Sequence, residues 1–288
     1  IEPHNATAHW DEDDRIKVWT STQGAFPVRT STAAILDMDV SRIKVTPLEI
    51  GGGFGGKIPV YLEPVVSILS KKSGRPVKAI MERSNVFQAS GPAPGGTITV
   101  KMGTDKDANI IAAETSIKLE AGGFPGAAVG AAVQCIFAPY DIPNTRIDGY
   151  DIVVNKPKSA AYRAPGSPQA AFAAETVSDE LARIHNMDPI DFRLQNASKE
   201  DTRRADGVVF PKIGNVEVLE AAKASEHWKS DLGTPPKGRV RGRGVASGYW
   251  FNVGLKSAVS LTVNNDGSVA LVEGSTDIGG TRTSISMQ

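Results

Sequence analysis

The chain has 288 residues, 40% of them hydrophobic, and its 32 basic side chains balance 32 acidic ones. That apolar content supports a real core and excludes disorder, while zero net charge argues against general affinity for nucleic acid or acidic lipid. A single cysteine, Cys135, excludes an internal disulfide framework and any zinc or iron–sulfur site that needs several thiolates, and no apolar run is long enough to span a membrane.

Arg15 to Ser21 alternates polar and apolar residues and reads as a half-buried strand. A short helix is expected over Thr30 to Asp37 and a second strand over Arg42 to Leu48, which runs into Gly51-Gly52-Gly53-Phe54-Gly55-Gly56-Lys57. Tyr61 to Lys72 has Leu62, Val65, Val66 and Leu69 at helical spacing, and Gly74 supplies a stop. Pro76 to Glu82 is another strand. A hairpin follows, with Thr97 to Lys101 and Ile110 to Lys118 flanking the polar turn Asp105 to Asn109.

The Gly- and Ala-rich stretch Ala121 to Val133 is expected to be loop, and Asp151 to Asn155 a short strand. Pro168 suits the first turn of a helix running to about His185, with Phe172, Val177, Leu181 and Ile184 as its apolar stripe. Further helices are expected over Pro189 to Asn196 and Val216 to His227. Thr234 to Arg243 is a candidate boundary, and beyond it Asn264-Asn265-Asp266-Gly267 marks a hairpin between Ala258 to Val263 and Ser268 to Glu273. Two hairpins among interleaved helices favour α+β layering over a doubly wound parallel sheet.

Three loops could carry chemistry. Gly51 to Gly56 has five glycines in six positions, so its backbone N–H groups could converge on an anion; a plain strand-to-helix turn is the alternative. It is not a phosphate-binding P-loop, because Ile58 follows Lys57 where Ser or Thr is required. Arg163 to Gln169 sets a guanidinium and a Pro-Gly turn before a helix N-terminus, either an anion site or an ordinary cap built on Ser167. Gly274 to Thr281 is a third Gly-rich turn after a strand, and together the three suggest one convergent cofactor cradle. Other chemistries lack support. The histidines show no metal-binding spacing, Cys135 sits in an apolar setting, and no Gly-x-Ser-x-Gly elbow occurs. The basic run Lys237, Arg239, Arg241, Arg243 reads as a solvated linker.

Taken in order, Glu2-Pro3-His4, Gly51 to Lys57, Ser73-Gly74-Arg75-Pro76-Val77, Ala161 to Gln169, Asp188 to Ala197 and Gly274 to Gly279 resemble the large subunit of the xanthine dehydrogenase and aldehyde oxidase family of molybdenum hydroxylases. The resemblance implies an α+β fold of mixed sheets with packed helices, like that of the molybdenum-cofactor-binding domain. It implies a first molybdopterin-binding half over 1–236 and the start of a second over 237–288, the whole reading as an internal piece of a longer subunit. Gly53, Phe54, Gly55, Arg163, Ala164, Gly279 and Gly280 would contact a molybdenum–molybdopterin cofactor. No protein metal ligand is implied, and the family's general base, in a Gly-x-Gly-Glu motif, is expected outside the chain.

The implied reaction is hydroxylation of an aldehyde or N-heterocyclic carbon with water-derived oxygen. Electrons would leave through iron–sulfur and FAD partner chains or segments, in a cytoplasmic enzyme acting on small molecules. Departures accompany the match. Ile58 stands where purine oxidisers have Glu, Ala164 where the carbon monoxide branch has a copper-binding Cys, and Pro165 where xanthine oxidisers have a stacking aromatic. Gly279-Gly280-Thr281 replaces Gly-Gln-Gly, and on that ground a non-catalytic cofactor-binding or assembly domain of the same fold is the alternative.

Overall fold

A computed structural model describes residues 2–251, 258–279 and 282–288. The chain packs into two compact units, one formed by Ile1–Ala93, Lys156–Arg163 and Val253–Gln288, the other by Pro94–Asn155 and Ala164–Asn252.

The first unit opens with β1 (Asn5–Trp10), β2 (Ile16–Thr20), α1 (Ala25–Leu36), β3 (Ile43–Pro47), α2 (Glu63–Ser73), β4 (Val77–Ile80) and α3 (Arg83–Ala89). Its sheet has the order β3-β2-β1-β4, with β2 and β3 parallel and β1 antiparallel to both neighbours. Strand β1 buries Ala6, Ala8 and Trp10, and α2 lies across it. Two alanines give the alternation little hydrophobic amplitude, which hides the strand in the sequence, yet they let the helix backbone approach the sheet closely.

Helix α1 starts five residues before the expected Thr30. Pro27 is tolerated there because first-turn N–H groups have no intrahelical partner. On α2 the expected apolar stripe is corrected. Val66 is fully buried, but Val65 and Leu69 face solvent, and the buried face carries Glu63, Ser67 and Ser70. These polar groups are satisfied: Ser70 Oγ accepts from Trp10 N–H (2.9 Å) and donates to Arg75 O (2.7 Å), while Glu63 accepts from Thr20 Oγ1 (2.6 Å). Gly74, at φ 63°, ends α2 as expected.

The second unit contains β5 (Gly96–Thr104), β6 (Ile110–Gly122), α4 (Val129–Cys135), β7 (Thr145–Val153), α5 (Ser167–Ile184), α6 (Pro189–Gln195), α7 (Asn215–Ala224) and α8 (Glu226–Lys229). Strands β5 and β6 form the expected hairpin, and β7 pairs parallel to β6. Of the stretch expected as loop, 123–128 is loop, whereas 121–122 end β6 and 129–133 open α4. A Cβ on Gly149 of β7 would come within 2.6 Å of Val129 and 2.7 Å of Val133, and one on Gly166 within 2.5 Å of Ala128 O. Small residues here serve close helix packing rather than mobility. The same geometry corrects the α5 stripe: Phe172 and Ile184 are exposed, and the helix buries Ala170, Ala174, Glu175, Ser178, Leu181 and Ala182.

The Asp188 to Ala197 motif is a fold-holding device. Asp188 caps α6, accepting from Ile190 N–H (2.8 Å) and Asp191 N–H (3.3 Å). Arg193, fully buried, pairs with Glu175 (2.8 Å) on α5 and with Asp179 (2.8 Å). Asn196 accepts from Ile110 N–H (2.7 Å) and donates to Ala108 O (3.0 Å), stitching the β5–β6 turn to α6. Replacing Asp188 with Ala is expected to cost about 1 kcal/mol of unfolding free energy, read from urea denaturation.

The chain ends with β8 (Val259–Val263) and β9 (Val269–Glu273), the second expected hairpin, and α9 (Arg282–Met287). Mixed sheets with packed helices make the fold α+β. Among the described residues no helix is long and apolar enough to cross a membrane.

Candidate functional site

The Gly51 to Lys57 loop leaves β3 and is fixed from several sides of the first unit. Gln23, just after β2, is tied to it twice. Its backbone N–H donates to Lys57 O (3.0 Å), and its Oε1 accepts from Gly55 N–H (2.8 Å) and Lys57 N–H (3.2 Å). His4 Nε2 donates to Gly56 O (2.8 Å). Gly56 N–H and Ile58 N–H turn inward to Gly53 O (2.9 Å) and Gly55 O (3.3 Å). Gly51 N–H donates to Glu2 (3.1 Å). Among the described residues, the N–H groups of Gly52, Gly53 and Phe54 are left with no acceptor. The expected convergence of N–H groups is therefore reduced to three consecutive ones.

Lys57 is only 3% exposed and pairs with Glu2 at 2.7 Å. Its charge is committed inside the fold, a second reason that the loop is not a nucleotide P-loop. Burial raises the Glu2 pKa, but the Lys57 ammonium, Gly51 N–H and Asn5 amide outweigh it and hold the carboxyl below its usual range. A carboxyl whose folded pKa is depressed stabilises the fold above the ordinary carboxylate range and loses that contribution as pH falls through the folded value. The stability difference between wild type and Lys57→Met is expected to be largest near neutral pH and to shrink on acidification, as chemical denaturation at a series of pH values would show.

The backbone here is strained. Eight non-glycine residues among those described have positive φ; four are Asp or Asn, which tolerate that region, and of the other four three are Phe54 (52°), Arg163 (24°) and Ala164 (54°). Such conformations persist only where the surroundings over-determine them, and they gather at functional sites. Arg163 N–H donates to Phe54 O at 2.8 Å. Gly55, at φ 94°, lies where a Cβ would come within 2.8 Å of Ala161 O. Within the first unit the glycine loop is thus held backbone to backbone against Ala161 and Arg163. The Arg163 guanidinium has no hydrogen-bond or ion-pair partner among the described residues.

The third loop reaches the first as well. Ile50 N–H donates to Asp277 O (3.2 Å), and the buried Asp277 accepts from Gly279 N–H (3.1 Å). The structure therefore brings Gly53, Phe54, Gly55, Arg163 and the Gly279 turn into one neighbourhood. Gly280 and Thr281 lie outside the described residues. In the second unit, Ser167 does not cap α5; its Oγ donates to Tyr249 O (2.7 Å), and Ala164 O accepts from Ser167 N–H (3.0 Å). Cys135 is buried, as its apolar setting implies, and burial pushes its thiol pKa up. No group of three or more potential metal ligands exists among the described residues.

Gln23 is the participant that sequence reasoning misses. A Gln after a strand carries no local signal, and only the register of β2 against the glycine loop reveals it.

The chain is thus α+β, with a glycine loop held in a strained, side-chain-poor stretch of backbone. Residues 1–197 match the molybdopterin cofactor-binding domain model, and the chain belongs to that family. It is 31% identical to the nicotinate dehydrogenase large molybdopterin subunit of Eubacterium barkeri, over 77% of this chain and 53% of that one. It is 30% identical to the aldehyde oxidoreductase molybdenum-binding subunit PaoC of Escherichia coli K12, over 97% of this chain and 38% of the relative. The fold superposes on aldehyde oxidoreductase from Desulfovibrio desulfuricans with a TM-score of 0.81, at 24% identity over 93% of this chain and 31% of the other. For quinoline 2-oxidoreductase from Pseudomonas putida 86 the TM-score is 0.71, at 25% identity over 77% and 30%. The chain spans about two fifths to half the length of these two curated relatives.

Proposed function

We propose that the chain is a piece of a molybdenum hydroxylase subunit, spanning its first cofactor-binding half, and cradles its molybdopterin cofactor, in an enzyme that oxidises an aldehyde or an N-heterocycle. The observation that carries this reading is the Arg163 N–H to Phe54 O bond between two strained residues, beside three free N–H groups on a loop stripped of side chains. That arrangement suits a bulky anionic group, because backbone donors meet its oxygens without crowding it. When bound, the cofactor supplies oxidation of an electrophilic carbon with water-derived oxygen.

The residues of this chain bind and orient. The Gly52, Gly53 and Phe54 N–H groups would donate to cofactor oxygens, with the rigid Gly55 backbone holding the loop in place. Arg163, Ala164, Gly279 and Gly280 would also contact the cofactor, the two glycines towards its pterin and phosphate. No residue here is assigned as general base, so the chain alone is expected to be inactive. Residues 1–236 are taken as the first cofactor-binding half and 237–288 as the start of the second. Iron–sulfur and flavin partners, a small-molecule substrate and a cytoplasmic location belong to the same proposal.

The test is an aldehyde and N-heterocycle oxidation assay with an artificial electron acceptor, on the 288 residues alone and on the longer polypeptide that carries them. Turnover confined to the longer form, with oxygen drawn from labelled water, is expected. Turnover by the 288 residues alone, or by neither form, contradicts the reading.

A further inference from the structure

We propose that the cleft between α1, the edge strand β3 and the turn after β9 binds a small aromatic anion, its ring seated against Phe26 and its carboxylate or phosphate turned towards Arg29, Lys44 and Arg282. The inference goes beyond the cofactor reading and does not rest on it. All of these elements belong to the first unit, and neither the Gly51 to Lys57 loop nor Arg163 lines the cleft.

The cavity holds about 560 Å³, the size of a small-molecule site. Its charge is lopsided. Arg29 of α1, Lys44 of β3 and Arg282 of α9 line it, and among the described residues Glu273 is the one acidic side chain there. That carboxylate is already engaged, because the Ser275 hydroxyl (2.6 Å) and Ser275 N–H (2.7 Å) donate to its two oxygens. Those bonds, with the Arg282 charge behind them, hold its carboxyl below the usual range. Arg29 and Lys44 have no hydrogen-bond or ion-pair partner among the described residues. Cations gathered in one concavity repel one another and focus a positive potential, which a bound anion relieves. A lysine on an edge strand also discourages pairing with another strand, but that task explains Lys44 alone, not the two arginines on helices.

The apolar part of the cleft suits a flat group. Phe26 is 64% exposed, and a Cβ on Gly274 would stand 2.5 Å from its Cε2 and 3.2 Å from its Cζ. The missing side chain at 274 thus seats one edge of the ring and leaves the rest uncovered, where a second ring can stack. Guanidinium groups take carboxylate and phosphate alike through paired N–H donors, so the two anions share one recognition chemistry.

Titration of the full chain with benzoate, phenyl phosphate, inorganic phosphate and benzyl alcohol, followed by backbone amide shifts in NMR, tests the site. Saturable binding of benzoate or phenyl phosphate is expected, with shifts at Phe26, Arg29, Lys44 and Gly274, and the tighter of the two identifies the anion. Benzyl alcohol lacks the charge and is expected not to saturate. Inorganic phosphate lacks the ring and is expected to bind more weakly than phenyl phosphate. The double variant Arg29→Gln, Lys44→Gln is expected to weaken both aromatic anions at least about tenfold. Phe26→Ala is expected to weaken phenyl phosphate and leave inorganic phosphate unchanged. These side chains are exposed or half-buried, so thermal unfolding of the variants should match wild type.

Arg15→Gln, which removes a charge outside the cleft, is the control. Absence of saturable binding, or a loss in Arg15→Gln equal to that in the double variant, overturns the proposal. So do shifts confined to Gly52, Gly53 and Phe54, which would put the anion on the glycine loop, and inorganic phosphate binding as tightly as phenyl phosphate.

Discussion

Replacing Arg193 with Met is expected to destabilise the second unit by about 3–5 kcal/mol, because it strands the Glu175 carboxylate in the core. Glu175 is 5% exposed and accepts from three neighbours: Arg193 Nε (2.8 Å), Ser247 N–H (2.6 Å) and the Tyr140 hydroxyl. Burial, and then the Glu175 charge, push the Tyr140 pKa well above its usual value, so the phenol stays protonated and serves as a donor. Of these three donors only Arg193 brings a compensating charge. The double variant Arg193→Met, Glu175→Leu removes both buried charges together and is expected to recover most of the loss. Urea denaturation of wild type, both single variants and the double variant measures the coupling. A single Arg193→Met cost under about 1 kcal/mol would show that the pair is not the lock it is taken to be.

Gly55→Ala is expected to cost about 3 kcal/mol, combining a φ that L-residues avoid with a Cβ forced against Ala161 O. The nearby Gly56→Ala is the control. Its φ is ordinary, and the nearest atom to the added Cβ is Gly53 O at 3.4 Å, so its cost should be small. Thermal unfolding of the two variants separates local strain from a general intolerance of side chains in the loop. Equal costs would mean that the positive φ at 55 is not what the loop requires.

The strands with strong alternation were legible from sequence: β2, β3 and both hairpins lie within a few residues of their expected places. What escaped was built from small residues. Strand β1 alternates on Ala6 and Ala8, and α4 packs on Gly149, so in both places hydrophobic amplitude is low while packing is close. Helical spacing also misassigned the buried faces of α2 and α5, because Glu63, Ser67, Ser70, Glu175 and Ser178 are buried with their polar atoms paired. Pairing of that kind depends on partners from distant segments, which periodicity does not register.

At the site, glycine density marked the loop, and the motif order marked Arg163. The sequence did not show that Gln23 and Glu2 consume several of the loop's donors, or that Lys57 is neutralised. Asp188 to Ala197 drew notice as a family motif, and its side chains turn out to hold the second unit together.

In the proposed function the strained glycine loop, joined to Arg163 and the Gly279 turn, receives molybdopterin. The most direct test is the molybdenum and oxidised pterin released per mole of the longer polypeptide, for wild type and for Gly55→Ala at a temperature where both are folded. Near-stoichiometric cofactor in wild type and its loss in Gly55→Ala, with Gly56→Ala still loaded, is the predicted result. Equal loading of Gly55→Ala and wild type would contradict it.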